Sequence, residues 1–167
     1  MFYTLVSLRY FARHILGGIR PIDGTMNAQK YKEICELSML PGACVWMPSG
    51  WMYAHDNDSK HTSAIIMGPV RKLRDGRRIR LPGWFSLNNV RLLRLPPLSP
   101  DLNPIEHLFA FVKQKLRGKR FENKDELWST IMEIWADIPQ DILTKLVDSM
   151  PERIDVVILS RGGPTKY

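Results

Sequence analysis

Four prolines within nine residues divide this chain into two parts of different character. Pro96, Pro97, Pro100 and Pro104 lie close together, and a proline has no backbone N–H to donate to a sheet or to the interior of a helix. Regular pairing is therefore expected to end where this segment begins. Strand signals and one long helical stretch precede it, and helical signals follow it. The sequence thus predicts an α/β fold, a mixed sheet flanked by helices, with a helical C-terminal third.

The part before the prolines starts with apolar segments that are typical of strands. Val6 to Ile22 is rich in apolar residues and is broken by two glycines. A turn at Asp23–Gly24 comes next, and apolar residues then recur at near-helical spacing from Ala28 to Leu40. Because proline and glycine follow directly, this helix is expected to end at Pro41.

Three capping patterns predict the helices of the C-terminal part. Asn103, Pro104 and Glu106 match an N-cap, a proline at the first helical position and a capping-box acid. Similar signatures occur at Asn123–Glu126 and at Ser149–Glu152. Each of them precedes a run of apolar residues at helical spacing, so we expect three helices to begin there.

Composition narrows the class of protein. The chain has 167 residues, 44% of them hydrophobic and 25% charged, which is close to the average of globular domains and suffices for one core. No uncharged apolar run reaches the roughly 18 residues of a membrane span. Cys35 and Cys44 form no C-x-x-C pair, so neither a disulfide framework nor a thiolate zinc site is expected. Arg9, Arg13 and Arg20 precede the first acid, a pattern that fits a targeting presequence as well as a strand.

Most of the positive charge lies in one segment. The net charge is +7, and residues 68–83 contribute +5 of it because six bases accompany a single acid, Asp75. Such a run is either a solvated loop or a surface that binds a polyanion. The candidate nucleic-acid-binding residues are Arg71, Lys72, Arg74, Arg77, Arg78 and Arg80.

Two carboxylates stand at the ends of predicted elements. Asp56 directly follows a predicted strand, Trp51 to His55, and Glu106 lies in the first turn of a predicted helix. Two acids that converge beside a sheet repel each other unless a divalent cation lies between them, and oxygen-only ligands suit Mg²⁺ or Mn²⁺. Asp56 and Glu106 are therefore candidate metal ligands, expected to approach one another. The alternatives are an Asx turn for the segment that begins at Asp56 and a capping box for Glu106.

Four segments of the chain resemble motifs of a known family, both in their residues and in their order along the chain. LPPLSPDLNPIEHLF at 95–109 resembles the hallmark segment of mariner-type DDE transposases, and DNDSKHTS at 56–63 resembles their middle motif. PIDGTMNAQKY at 21–31 is similar to their strand, turn and helix between the first and second acids. GGPTKY at 162–167 resembles their C-terminal ending. Nearly the whole chain outside 68–83 is covered.

This resemblance implies a fold, an activity and a site. The fold would be ribonuclease-H-like, and the activity would be metal-dependent DNA cleavage and strand transfer in the nucleus. Asp56 and Glu106 would be catalytic ligands of Mg²⁺ or Mn²⁺. DNA would be the partner, and the resemblance allows a homo-oligomer.

The chain also departs from the family pattern. The family uses three acids, whereas Asp23 is the sole aspartate before Asp56 and matches a turn that is not catalytic. Between Asp56 and Glu106 there are 49 residues, against roughly 34 in the family pattern, and the surplus coincides with the basic segment 68–83. The paired helix-turn-helix region that reads transposon ends has no counterpart here.

We therefore expect residues 1–167 to be a truncated DDE transposase catalytic domain with a basic insertion at about 68–83. The resemblance implies an ancestral function in DNA cutting and joining, and we expect the chain to be inactive alone. The rival enzyme interpretation is that a partner chain or a longer gene product supplies the first acid. The alternative from another class is a non-enzymatic nucleic-acid-binding remnant that uses the basic segment.

Overall fold

The computed structural model describes residues 6–8, 11–22, 24–55, 58–96, 99–163 and 165–166. Asp23, in the predicted turn, and Asp56 lie outside the described residues. The chain divides into two compact units. The helical unit comprises residues 1–21 and 99–167, and the sheet unit comprises residues 22–98.

The helical unit contains short N-terminal strands and the C-terminal helices. Its strands are β1 Val6–Leu8, β2 Phe11–Ala12, β3 Ile15–Leu16 and β4 Arg20–Ile22, the last residue of β4 being the first of the sheet unit. β1 lies beside β4, and β2 is antiparallel to β3. In the C-terminal part of the chain, a 3₁₀ turn at Pro100–Leu102 is followed by four helices. We number them, after the four helices of the sheet unit, α5 Ile105–Leu116, α6 Lys124–Ala136, α7 Gln140–Asp148 and α8 Met150–Leu159.

The sheet unit contains the remaining elements. In chain order they are α1 Ala28–Ile34, a π-helical turn Cys35–Met39, α2 Leu40–Trp46, β5 Met52–His55, α3 Ala64–Met67, β6 Val70–Lys72, β7 Arg78–Arg80, α4 Trp84–Leu87 and β8 Arg91–Arg94. β5 and β8 pair in parallel, with His55 opposite Arg94. β6 and β7 form an antiparallel hairpin.

The core of the helical unit is built from helix faces. Leu108 and Val112 of α5 pack with Ile131 and Trp135 of α6. The indole Nε1 of Trp135 donates a hydrogen bond of 2.7 Å to the carbonyl of Gly17, so the core also holds the N-terminal strand region. Trp135 is 5% exposed and is therefore a core residue.

The core of the sheet unit is formed by α1, the π-helical turn and the helices that flank the hairpin. Tyr31, Cys35 and Ile66 are fully buried, and the exposed fractions of Trp84 and Phe85 are 4% and 2%. Burial raises the pKa of the Cys35 thiol to about 12, so this cysteine behaves as a small apolar residue.

The prediction that the first long helix ends at Pro41 is wrong. The chain passes through the π-helical turn and continues as α2, in whose first turn Pro41 lies. The N–H of Leu40 bonds to the carbonyl of Cys35, five residues back. This wider turn accommodates a proline that an unbroken α-helix would not, because the proline ring clashes with the carbonyl four residues earlier.

Candidate functional site

Glu106 lies in the first turn of α5 and is exposed. The predicted capping box is not formed, because α5 begins one residue later than expected and Pro104 occupies the N-cap position. The N–H of Asn103 closes the preceding 3₁₀ turn by donating to the carbonyl of Pro100 at 2.9 Å. Among the described residues, no hydrogen bond or salt bridge engages the Glu106 carboxylate. The capping alternative therefore does not account for this acid.

The position of Glu106 suits a carboxylate that binds a cation. Its oxygens are hard donors of the kind that Mg²⁺ and Mn²⁺ prefer. Glu106 lies at the positive end of the α5 dipole, where a nearby negative charge is stabilised. The chemistry of this donor thus fits the divalent cation that the resemblance implies.

His107, the next residue, points into a polar cluster with α8. Its Nε2 lies 2.9 Å from the Nη1 atom of Arg153. Burial lowers the pKa of His107, the positive charge of Arg153 lowers it further, and the Glu106 carboxylate acts in the opposite direction. Because an arginine only donates, His107 accepts this hydrogen bond as a neutral ring with its proton on Nδ1.

Asp56, the second candidate ligand, lies outside the described residues, so its predicted approach to Glu106 stays a prediction. The strand that leads to it is the predicted one, β5, which ends at His55. The His55 ring stacks on Phe85, with 5.5 Å between ring centroids and an interplanar angle of 20°. It also meets the ring of His61 edge to face at 5.6 Å. Packed rings therefore fix the end of the strand immediately before Asp56.

Asp58 forms the Asx turn that was the alternative interpretation of this segment. Its carboxylate accepts a hydrogen bond from the N–H of Lys60 at 3.1 Å and forms an ion pair with the Lys60 ammonium. The hydrogen bond from the Lys60 side chain lowers the pKa of Asp58, and its partial burial opposes that effect. The Asx-turn interpretation is confirmed for Asp58, which is held by its own loop.

The described part of the chain contains no group of three or more His, Cys, Asp or Glu side chains that could hold a metal ion. Asp56 is not among the residues to which this statement applies. No described helix has both the length and the apolar character needed to cross a membrane.

The basic segment forms the hairpin of β6 and β7, which we call the basic hairpin (residues 69–82). All six of its basic side chains are exposed, as their charge predicts. The turn is closed by Asp75, whose carboxylate accepts hydrogen bonds from the N–H of Arg77 at 3.0 Å and from the Nε of Arg77 at 2.7 Å. Arg80 donates to the carbonyl of Gly68 at 2.9 Å.

The register of the hairpin places like charges opposite each other. Lys72 faces Arg78 directly, and Val70 faces Arg80. Side chains alternate between the two faces of a strand, so Lys72, Arg78 and Arg80 share one face. In the described structure, four of the six basic side chains make neither a hydrogen bond nor an ion pair: Arg71, Lys72, Arg74 and Arg78.

The sequence patterns did not single out Arg153, which lies on α8 and is 3% exposed. Ser149 had been predicted to cap α8, but its hydroxyl donates to the carbonyl of Leu146 at 2.8 Å and accepts from the Nε of Arg153 at 2.8 Å. The helix predicted after Ser149 is present as α8 and Ser149 occupies its N-cap position, but its side chain makes no capping hydrogen bond. A buried arginine in a helix has no local sequence signature.

A family model described as DDE superfamily endonuclease matches residues 26–128, a range that includes Asp56 and Glu106. The Tc1 transposase of Caenorhabditis elegans is 36% identical over 157 residues, which are 94% of this chain and 52% of that protein. The Tcb1 transposase of Caenorhabditis briggsae is 34% identical with the same coverage. The chain spans about half the length of these curated relatives.

Solved structures are similar over almost the whole chain. The Mos1 transposase catalytic domain with Raltegravir and Mg has a TM-score of 0.79 at 19% identity, over 97% of this chain and 77% of that one. The Mos1 mariner paired end complex with Mn has a TM-score of 0.75 at 21% identity, over 93% of this chain and 43% of that one. At these identities the likeness is one of fold.

Proposed function

We propose that this chain, which belongs to the DDE superfamily endonucleases and is a Tc/mariner transposase domain, provides two metal-binding acids for transposition. These acids are Asp56 and Glu106, and the reaction is cleavage and strand transfer of transposon DNA. The observation that carries the proposal is the Glu106 carboxylate, which is exposed and unengaged by the described residues, in a segment that the family model matches. The fold is ribonuclease-H-like, as predicted from the sequence.

In this proposal the chain's own residues place two oxygen ligands at the ends of two elements. Glu106 projects from the first turn of α5, and Asp56 follows the packed end of β5. A bound Mg²⁺ or Mn²⁺ would supply Lewis-acid activation at phosphate oxygens. The partner is DNA and the place of action is the nucleus. Mos1 structures of a paired end complex and of a complex with the left transposon end support a DNA partner.

The first expected result is that the 167-residue polypeptide binds one Mn²⁺ weakly and does not nick DNA. Two acids hold less charge than three, and in-line transfer needs metals in a fixed geometry, each tenfold in rate requiring about 1.4 kcal/mol. Mn²⁺ binding is measured by paramagnetic broadening of backbone amide signals. Nicking is measured on supercoiled plasmid with Mg²⁺ or Mn²⁺.

Asp56→Asn and Glu106→Gln are the matched variants, because each removes a charge and keeps the shape of the side chain. Both are expected to lose the Mn²⁺-dependent broadening. Unchanged Mn²⁺ binding in both variants would refute the proposed site. Nicking that requires both acids would instead show that a third ligand, such as Asp23 or Asp58, completes the cluster.

A second candidate function, nucleic-acid binding by the basic hairpin, is favoured by the pairing of Lys72 with Arg78. Like charges directly opposite each other on a hairpin are destabilising. A row of phosphates would neutralise them. This binding needs no catalysis, and it is compatible with the metal site.

Binding by the hairpin predicts a steep dependence on salt. Each phosphate contact contributes about 0.9 to the slope of log affinity against log salt. We expect the slope to fall by about 3 to 4 in a variant that carries glutamine at Arg71, Lys72, Arg74 and Arg78, measured by fluorescence anisotropy with duplex DNA. The matched control carries glutamine at Lys113, Lys115, Lys119 and Arg120, which lie outside the hairpin. If the salt-dependence slope falls equally in both variants, the basic hairpin contributes no more to DNA binding than other basic side chains do.

A further inference from the structure

Arg153 connects α8 to both sides of the turn that carries Glu106, and all of these residues belong to the helical unit. Its Nη1 atom donates to the carbonyl of Asp101 at 3.0 Å and to the Nε2 of His107 at 2.9 Å. Its Nε donates to the hydroxyl of Ser149, one turn earlier along the chain. Asp101 precedes Glu106 by five residues, and His107 follows it directly. The arginine therefore holds the chain on either side of the acid.

The C-terminal tail holds the same turn from a second direction. The Thr165 hydroxyl donates to the Oδ2 atom of Asp101 at 2.8 Å. Lys166 forms a salt bridge of 2.7 Å with Glu152 of α8, which fixes the tail next to that helix. Both the backbone and the side chain of Asp101 are thus engaged by residues from the end of the chain.

These contacts supply what the N-terminus of α5 lacks locally. No described side chain caps the first turn of α5, whose N-cap residue is Pro104. Uncapped helix ends fray because their first N–H groups have no intrahelical partners. An acid in a frayed turn points in many directions, whereas Mg²⁺ demands ligands in near-octahedral positions. The turn must therefore be held by tertiary contacts.

We propose that Arg153 is a positioning residue for Glu106, which keeps the first turn of α5 in one conformation so that the carboxylate keeps one direction. This role rests on the proposed function of Glu106 as a metal ligand. The guanidinium suits it because its planar fork reaches several acceptors at once in fixed directions, which a lysine ammonium does not. Thr165 has the supporting role of holding Asp101.

The test compares the 167-residue chain with Arg153→Met and Arg153→Lys, and Arg120→Met serves as the matched control at an exposed arginine. Two quantities are measured: the Kd for Mn²⁺ from amide broadening, and the hydrogen-exchange rates of the amides in the first turn of α5. We expect Arg153→Met to raise the Kd about 10-fold or more, in line with the loss of a group that orients a metal ligand. Exchange in that turn should accelerate, while exchange in α6 stays slow.

Arg153→Lys keeps the charge and is expected to restore little of the affinity. Arg120→Met should leave both quantities unchanged. Since Arg153→Met could unfold the unit, Thr165→Val is the second variant; it removes only the hydrogen bond to Asp101 and is expected to raise the Kd less, in the same direction.

The outcomes separate this inference from the proposed function. The positioning role alone would be overturned if Glu106→Gln lost Mn²⁺ binding while folded Arg153→Met bound Mn²⁺ as the parent chain does. If Arg153→Met does not fold, unchanged Mn²⁺ binding in Thr165→Val would have the same meaning. Unchanged Mn²⁺ binding in Glu106→Gln would overturn the proposed function and the positioning role with it. Equal acceleration of exchange throughout the helical unit in Arg153→Met would show a general structural role and would also overturn the inference.

Discussion

Alanine in place of Gly83 is expected to lower the free energy of unfolding by about 3 kcal/mol, the upper part of the range for overpacked sites. A Cβ atom on Gly83 would lie 2.1 Å from the nitrogen of Gly68, 2.4 Å from the carbonyl carbon of Met67 and 2.5 Å from the oxygen of Ile66. All three are backbone atoms at the base of the basic hairpin, so no side chain can move aside. The backbone of Gly83 has a φ of −104°, so the whole cost is steric. Denaturant unfolding monitored by tryptophan fluorescence measures it.

Two other glycines separate the effect of contact from the effect of backbone conformation. Gly76 has a φ of +84°, and a Cβ atom added there would meet no described atom within 4 Å. Gly18 has the same open space without a positive φ. We expect Gly76→Ala to cost about 1 kcal/mol for its φ alone, and Gly18→Ala to stay within about 0.5 kcal/mol of the parent chain. A cost for Gly83→Ala as small as that for Gly18→Ala would mean that the two halves of the hairpin base do not touch.

Alanine in place of Leu108 is expected to cost about 2 to 5 kcal/mol, the range for truncating a fully buried leucine. Leu108 is 0% exposed and packs with Val112, Ile131 and Trp135. Removing its isobutyl group leaves a cavity between α5 and α6 that the rigid aromatic neighbour cannot fill. Thermal and urea unfolding both measure this loss.

The control for this substitution is Leu159→Ala, because Leu159 is 82% exposed at the end of α8. We expect it to change the free energy of unfolding by no more than about 0.5 kcal/mol. Similar losses at Leu108 and Leu159 would contradict the assignment of the core to the α5–α6 face. Leu108 also lies two residues after Glu106. If the cavity in Leu108→Ala destabilises the first turn of α5, we expect this variant to bind Mn²⁺ more weakly as well.

Local sequence signals predicted the elements whose stabilising contacts lie within a few residues. The strand before Asp56 ends at His55 as expected. The N-cap of α6 is Asn123, whose side chain accepts from the N–H of Glu126 at 2.8 Å. Contacts of this kind depend only on residue type and spacing, so a sequence pattern contains all the information needed.

The predictions that were wrong concern positions where a local signal competed with packing. Pro41 was expected to end a helix, yet a π-helical turn lets the chain continue. Asn103 was expected to cap α5, yet it closes a 3₁₀ turn. Ser149 occupies the expected N-cap position of α8, yet its hydroxyl binds Arg153 instead of a backbone N–H of the first turn. Each residue has more than one partner of comparable strength, and the surrounding structure decides between them.

The sequence by itself determined the family, the two candidate acids and the concentration of positive charge in residues 68–83. The residues of a motif and the composition of a segment are properties of the chain alone. Only the tertiary structure decided how the turn that carries Glu106 is held. Arg153 lies 52 residues from Asp101 and 46 from His107, and no local spacing rule relates positions so far apart. Hydrogen bonds to a buried guanidinium arise only when α8 and the turn before α5 pack together, since the cost of burying that charge is offset only by acceptors brought there by the fold.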